Sequence, residues 1–486
     1  MKRGGILGSA CAPHAGDGAL AIANFSRHGP IEEKSLLRRG AATSVRGARA
    51  PQILALAFLA LTSLVSAATL QEQIDATPPN GLVVVAPGIH AGPITIHKPL
   101  QLIGQAGAEI RGSGSGNVVT ISADDVTLRG LRINGSGLNL SEDSAAVFVT
   151  GNRVTIEQNV ITDALHGVYL KKVRDCRVIG NRIQGKTTLL TSTKPIDQTL
   201  TAGLGELCEV PLNQNERGNG IHQWNCEGNL LSGNDISDTR DGIYFSFANH
   251  SRTENNRVHN VRYGLHYMYS DNNVFENNVF AQNAAGAAVM FSSDILIRGN
   301  QFIDNRGARA YGILFQSDDR VRVENNVIRN NAVGLSFQQA IGFVVRGNDV
   351  SGNYIGLRFA GNSDGNSFSE NRFTQNLHPI ETSGAGSNNR WAVNGVGNLW
   401  SGTEMFDLNG DGVNDLPHRE LDLFGPLRRD FPTIAFLSGS PALKLLRFAN
   451  ARAAVPGLDS IEDPAPLTTN FWRIRAQRAI PAHDRR

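Results

Sequence analysis

The sequence predicts an all-β fold: a right-handed parallel β-helix with coils of about 22 residues and a short capping helix at each end. Three observations carry that prediction. Gly220, Gly242, Gly264 and Gly286 lie 22 residues apart, and each opens a short apolar run. Asn159, Asn181, Asn234, Asn256, Asn278, Asn300, Asn326, Asn348 and Asn371 form a second column, usually inside a Gly-Asn or Asn-Asn pair. Within a coil the apolar residues alternate with period 2 over four or five positions, as from Val321 to Ile328, which excludes helical repeats. Asparagine tolerates left-handed backbone at corners, and stacked Asn side chains hydrogen-bond from coil to coil.

Before the first coil, residues 1–67 read as an N-terminal extension and signal peptide. Arg38, Arg39, Arg46 and Arg49 precede the apolar run Ile53–Leu61, which leads to Val65-Ser66-Ala67-Ala68, a small-residue cleavage site. The run is short for a membrane span of about 20 residues, so the expectation is export. Arg38-Arg39 stands too far from the run to serve well as a twin-arginine signal. The 46 basic and 44 acidic residues nearly balance, which argues against bulk nucleic-acid binding. Cys11 leaves with the leader. Of the remaining three, Cys208 and Cys226 are placed to form a disulfide, with Cys176 buried and free; no C-x-x-C spacing favours thiolate metal ligands.

The β-helix is expected over residues 68–400. Gln71 to Gly81 reads as a short helix and turn that caps the first coil and shields its open edge. Val83-rich text at 82–85, then 94–96, 100–103, 118–121 and 126–128, gives short β-branched strands bounded by Gly, Pro or Asp. The asparagine column then runs with spacings of 22, 53, 22, 22, 22, 26, 22 and 23. The 53 is one coil plus a 31-residue insertion, about Lys186 to Arg217, expected to project as a loop from one face. After Phe373 the period decays. Residues 401–425 hold Asp407-Leu-Asn409-Gly-Asp411-Gly412-Val413-Asn-Asp415, with the oxygen spacing of a calcium loop, although His418 stands where an EF-hand carries Glu. Asp407, Asn409, Asp411, Val413 and Asp415 are the expected calcium ligands. Over 426–486, Ser440-Pro441 starts a short amphipathic helix to Ala449, followed by a Pro-rich, basic tail suited to capping or partner docking.

Numbering each coil from its glycine, positions +1 and +3 are apolar and point inward, so +2 and +4 point outward. Position +2 reads Tyr169, His222, Tyr244, His266, Ala288; position +4 reads Lys171, Trp224, Ser246, Met268, Met290. Coils lie about 4.8 Å apart and alternate residues about 6.6 Å apart, so His266, Met268 and Met290 form one outward triangle. His222 lies about 10 Å away and is a secondary candidate. Two of the four methionines thus share a solvent-directed face, where methionine is an odd filler. Thioether plus imidazole is a soft set that suits Cu(I).

The segments Gly264-Leu-His-Tyr-Met-Tyr-Ser-Asp-Asn-Asn273 and Gly286-Ala-Ala-Val-Met-Phe-Ser292 resemble the hallmark of the NosD family, periplasmic proteins of nitrous oxide reductase maturation. The Gly402–Pro417 stretch is similar too, as is Ser440-Pro-Ala-Leu443 before Asp463-Pro-Ala-Pro-Leu467. The resemblance covers nearly all of the mature chain. It implies a periplasmic, non-enzymatic protein working with an ABC transporter, formed by a NosY-like membrane subunit and its NosF-like ATPase. It also implies copper from a chaperone and assembly of the copper–sulfide cluster of nitrous oxide reductase. The matching positions are His266, Met268 and Met290.

Two rivals remain. An exported polysaccharide lyase or epimerase would need a base with charge neutralisers clustered on an outward face. The central coils show His, Tyr, Ser and Met there, with Arg358 isolated. A surface adhesin would carry aromatic patches along many coils rather than one local change.

Overall fold

The computed structural model describes residues 68–192, 207–307, 310–360, 362–383, 388–402, 406–421 and 460–474, with isolated positions between 440 and 449. The expected signal peptide lies outside these residues, as do positions 443, 444, 446 and 447 of the helix expected over 440–449. Three parallel sheets of 12, 13 and 12 strands run along the solenoid: twelve coils contribute one strand to each, and Leu399–Trp400 adds a thirteenth strand to one sheet. Residues spaced by one coil are direct register partners, as in Leu265↔Ala287 and Tyr267↔Val289. Positions +1 and +3 face inward as expected: Ile243, Phe245, Leu265, Tyr267, Ala287 and Val289 are all buried.

The asparagine column is a continuous buried ladder. Asn278 Oδ1 accepts from the backbone N–H (3.0 Å) and side-chain amide (2.9 Å) of Asn256. Asn278 Nδ2 in turn donates to Thr253 O and Asn300 Oδ1, both at 2.9 Å. The pattern runs past Asn371 to Asn398 and ends on the buried Asp463, whose Oδ2 accepts from Asn398 N at 2.8 Å. The left-handed corner falls to the residue before each rung, not to the rung: Gln158, Gly180, Gly233, Asn255, Asn277 and Gly299 have φ between 55° and 67°. This explains the Gly-Asn and Asn-Asn pairs, with the first residue turning the chain and the second bonding along it. A second ladder, Asn283–Asn305–Asn331–Asn353–Asn376, lines another corner.

The glycine column has a different cause. A Cβ on Gly264 would lie 2.6 Å from Gly286 O, and one on Gly286 would lie 2.4 Å from Gly312 O. Neighbouring coils touch backbone to backbone here, so no side chain fits.

Both ends are closed. Helix α1, Leu70–Ala76, is set by a capping box in which Thr69 and Glu72 exchange hydrogen bonds. It buries Leu70 and Ile74 against the first coil. The Gln71 side chain pairs with Thr95 N (2.8 Å) and O (3.1 Å), satisfying the exposed edge strand Ile94–Ile96. At the far end the strand Ser460–Asp463 pairs antiparallel with His418–Leu421.

Two expectations are corrected. The insertion is not a plain loop: Thr188–Ser192 and Leu207–Pro211 pair as an antiparallel ribbon. Cys226 forms no disulfide with Cys208, because left-handed Asn225 (φ 55°) breaks the alternation after Trp224 and turns the Cys226 side chain into the core, where Sγ sits 3.4 Å from Leu170 O. Cys176 is free and buried, as expected. Burial pushes the Cys176 thiol up to about 12 and the Cys226 thiol up to about 11, disfavouring thiolate at either.

The ladder makes each rung a buried junction of four hydrogen bonds. Asn278→Ala is expected to destabilise the protein by about 2–4 kcal/mol, since each buried group left without a partner costs about 1–3 kcal/mol. Urea unfolding followed by far-UV circular dichroism reads this. A change below about 0.5 kcal/mol would mean that water replaces the rung.

Candidate metal centre

The strands His166–Lys171, Ile221–Glu227, Asp241–Asn249, Tyr263–Met268 and Ala285–Met290 lie side by side in one sheet. The register pairs His222↔Tyr244↔His266↔Ala288 and Trp224↔Ser246↔Met268↔Met290. The two methionines are therefore direct neighbours on adjacent coils, with His266 two residues from Met268 on the same outward side. His222 lies two coils away, and the Tyr244 ring stands between, 4.5 Å from His222 and 4.9 Å from His266 between centroids.

The strip points away from the core, but it is not open to solvent as the alternation predicts. Tyr169 is only 4% exposed, Ala288 and Ser336 are fully buried, and His222, His266, Met268 and Met290 are half-buried. The cover comes from the residue before each glycine. His166 packs edge-on against Tyr169 and His222, at 5.4 Å from each ring. Asn219 reaches His222, and Asp241 reaches His266. Tyr263, preceding Gly264, lies 5.1 Å from the His266 ring.

Asp241 is the charged centre of this layer and is 0% exposed. Its Oδ2 accepts from His266 Nδ1 at 2.8 Å, and its two oxygens accept from Arg262 Nε (2.8 Å) and Nη2 (2.7 Å). Burial alone would raise its pKa, but the hydrogen bonds from His266 and Arg262 and the Arg262 charge outweigh burial and hold it below the ordinary value. Burial also keeps His166 and His222 neutral, with His166 brought down to about 4 and His222 well below its usual value. Sequence reading missed His166, Asn219, Asp241 and Arg262. Numbering from the glycine stopped one residue short of the first three and two short of Arg262, though the polar run His166, Asn219, Asp241, Tyr263 before successive glycines was visible.

The donors present fit a soft monovalent ion. Among the described residues no three His, Cys, Asp or Glu side chains are grouped closely enough to share a metal as they stand, those of the Asp407–Asp415 loop included; the outer strip offers imidazole and thioether donors instead. Just beyond the methionines, Phe247, Tyr269 and Phe291 stack at 5.2 and 5.1 Å and remain 51%, 44% and 41% exposed. All three have left-handed φ of 49–55°, unusual for aromatic residues, and this swings them out at the strand ends.

The Asp407–Asp415 loop is built of turns closed by its own side chains. Asp407 accepts from Asp411 N and Gly412 N at 3.0 and 2.9 Å. Asn409 and Asp411 each accept from the backbone N–H two residues on, and Asp415 accepts from Leu408 N. Position 12, His418, begins a strand rather than supplying a carboxylate.

The stacked coils, the side-chain ladders and the single strip of soft donors define a right-handed parallel β-helix protein with its distinctive chemistry on one outer face. Residues 106–302 match the family described as "Right handed beta helix region", and residues 206–404 match "Periplasmic copper-binding protein (NosD)". The "Probable ABC transporter binding protein NosD" of Pseudomonas aeruginosa is 31% identical over 447 residues, covering 88% of this chain and 97% of that one. Its namesake from Stutzerimonas stutzeri is 29% identical over 397 residues, covering 78% and 85%. The chain belongs to the NosD family. Among solved structures, the A-module of the mannuronan C-5 epimerase AlgE4 of Azotobacter vinelandii superposes with a TM-score of 0.51 at 13% identity, covering 65% of this chain and 91% of that module. That likeness is one of fold alone.

Beneath the methionine coils runs a short ladder, Ala248 N to Ser270 Oγ to Ser292 Oγ, that ends on Asp318. Burial pushes the Asp318 carboxyl up to about 8, against the hydrogen bonds it accepts from Gln316 N and Ser292 N. The unfolded carboxyl ionises near 3.8 while the folded one keeps its proton, so stability falls as pH rises from about 4 to about 8 and then levels. Asp318→Ser, which continues the serine rungs, is expected to shrink the fall in Tm between pH 5 and pH 8.5. An unchanged fall would show that this carboxyl does not carry the slope.

Proposed function

We propose that this is an exported, periplasmic copper-handling accessory protein, not an enzyme, which holds Cu(I) as cargo at His266, Met268 and Met290. It would work in assembly of the copper–sulfide centre of nitrous oxide reductase, receiving copper from a chaperone. Its docking partner would be an ABC transporter, membrane subunit and ATPase together. The observation that carries the reading is the direct pairing of Met268 with Met290 beside an imidazole, on an outer strip where the adjoining coils carry Ser246 and Gln316. Family membership, the description of that family as copper-binding and the transporter-binding names of its relatives support it. The exposed aromatic stack beside the methionines is a surface of the kind that partner proteins cover.

Two neutral thioethers and one neutral imidazole bind through polarisability, not charge, so Cu(I) is favoured over Zn(II) or Mg(II). Met268→Leu with Met290→Leu keeps the apolar bulk and removes both sulfurs. The double variant is expected to bind Cu(I) at least tenfold more weakly in competition with a chromogenic chelator, with an unchanged far-UV spectrum. Equal affinity would place the site elsewhere. Turnover of alginate or pectin by the wild-type protein would favour the lyase or epimerase reading instead.

For Asp407, Asn409, Asp411, Val413 and Asp415 the same proposal extends to a structural calcium ion. Each carboxylate oxygen that accepts one backbone N–H keeps a lone pair for a cation. Calcium at millimolar excess is expected to raise Tm by several degrees, and EGTA to reverse this. An Asp407→Ala protein should show no response, and a response equal to wild type would dismiss the loop as the site.

A further inference from the structure

His222 and His266 occupy the same column, yet the residues packed against them give their rings opposite hydrogen positions. Asn219 turns its Oδ1 towards Arg240 Nη2 at 3.4 Å, which directs its amide Nδ2 at His222 Nδ1, 3.2 Å away. An amide nitrogen only donates. His222 Nδ1 is therefore an acceptor, and in the neutral ring the hydrogen sits on Nε2. At His266 the neighbour is a carboxylate, which only accepts. Asp241 Oδ2, 2.8 Å from Nδ1, takes the N–H there and leaves the Nε2 lone pair bare. Among the described residues His266 makes no other hydrogen bond. Asp241 is unable to turn away, because it is fully buried and both its oxygens are held by Arg262. Asn219 and Asp241 are equivalent in the repeat: each is the residue before its coil's glycine.

We infer that Asp241, anchored by Arg262, is a positioning residue that selects His266 as the imidazole ligand, and that Asn219 makes His222 a hydrogen-bond donor and excludes it. A metal needs the lone pair of a ring nitrogen, and a carboxylate on the other nitrogen both fixes the tautomer and strengthens the donor. The choice between two histidines of one column is thus made by the −1 residue that reaches each: Asn219 from the coil of His222 itself, Asp241 from the coil before that of His266. This inference rests on the copper reading for its consequence, but not for its tautomers.

The tautomers are read directly from long-range nitrogen–proton correlation spectra of the full mature protein labelled at histidine, without metal. The expected result is Nδ1–H at His266 and Nε2–H at His222; Nε2–H at His266 overturns the inference without any variant. Asp241→Asn offers His266 an amide of the same shape. It is expected to move the His266 hydrogen to Nε2 and to weaken Cu(I) binding about 10–100-fold, the usual effect of losing such a partner. Asp241→Glu should recover part of both, and serves as the second variant if the asparagine protein fails to fold. If Asp241→Asn switches the tautomer while Cu(I) affinity holds, and the double methionine variant loses affinity, positioning is wrong and the copper reading stands. If the methionine variant also binds normally, copper binding lies elsewhere, and the selection of His266 as ligand falls with it.

Discussion

Adjacent coils of this protein meet backbone to backbone along the glycine column, and the rest of the architecture depends on that contact. A methyl group on Gly242 would lie 2.1 Å from Val258 Cγ1 and 2.8 Å from Gly264 O. The stack closes this tightly through eight successive coils, Gly167 to Gly356, with Ala146 and Pro379 taking the place in the coils that flank them. The asparagine ladder locks the opposite corner from inside, because each amide bonds to both the backbone and the side chain of its neighbour. With two columns fixed, a one-residue slip would break both at once and turn every inward side chain outward. Register is thus absolute, and residues one coil apart in sequence must meet in space. Met268 over Met290 is a consequence of that rule.

Irregularities are tolerated where the contact is not interrupted. The insertion after the coil of His166 leaves the sheet at Gly185 and returns before Gly220, so Val168 still pairs with Ile221 across the gap in sequence. The ends are treated differently. Gln71 supplies the missing partner of an edge strand, and Asp463 stands in for the next asparagine while also accepting from Trp400 Nε1. A carboxylate suits a final rung, since it accepts from several donors and owes no hydrogen onward.

Much of this was legible because it is periodic. The 22-residue spacing, the period-2 alternation and the asparagine column each report a repeated geometry, and Ile243, Phe245, Leu265 and Tyr267 are buried as the alternation requires. What escaped was local. Asp241 reaches His266 on the outer side although simple counting from its glycine does not place it there. The residues before the glycines thereby cover a strip that alternation alone exposes. Cys226 was misjudged for a similar reason: left-handed Asn225 breaks the alternation just before it and turns a side chain that counting points outward into the core.

The surroundings of the methionine strip bear on which ion it would hold. Asp241 is one buried negative charge shared by Arg262 and His266, with Arg240 Nε a further 3.9 Å away. Two guanidinium groups face one carboxylate, so the layer beneath the strip carries no spare negative charge for a cation. A divalent ion would bring two positive charges to neutral ligands beside that excess. A monovalent ion brings one, and thioether sulfur compensates through polarisability rather than charge. On this arrangement a metal held at the strip would gain little from the electrostatics, and a more highly charged competitor would lose more. Selectivity for Cu(I) would then come from what Arg240 and Arg262 repel as much as from what Met268 and Met290 bind.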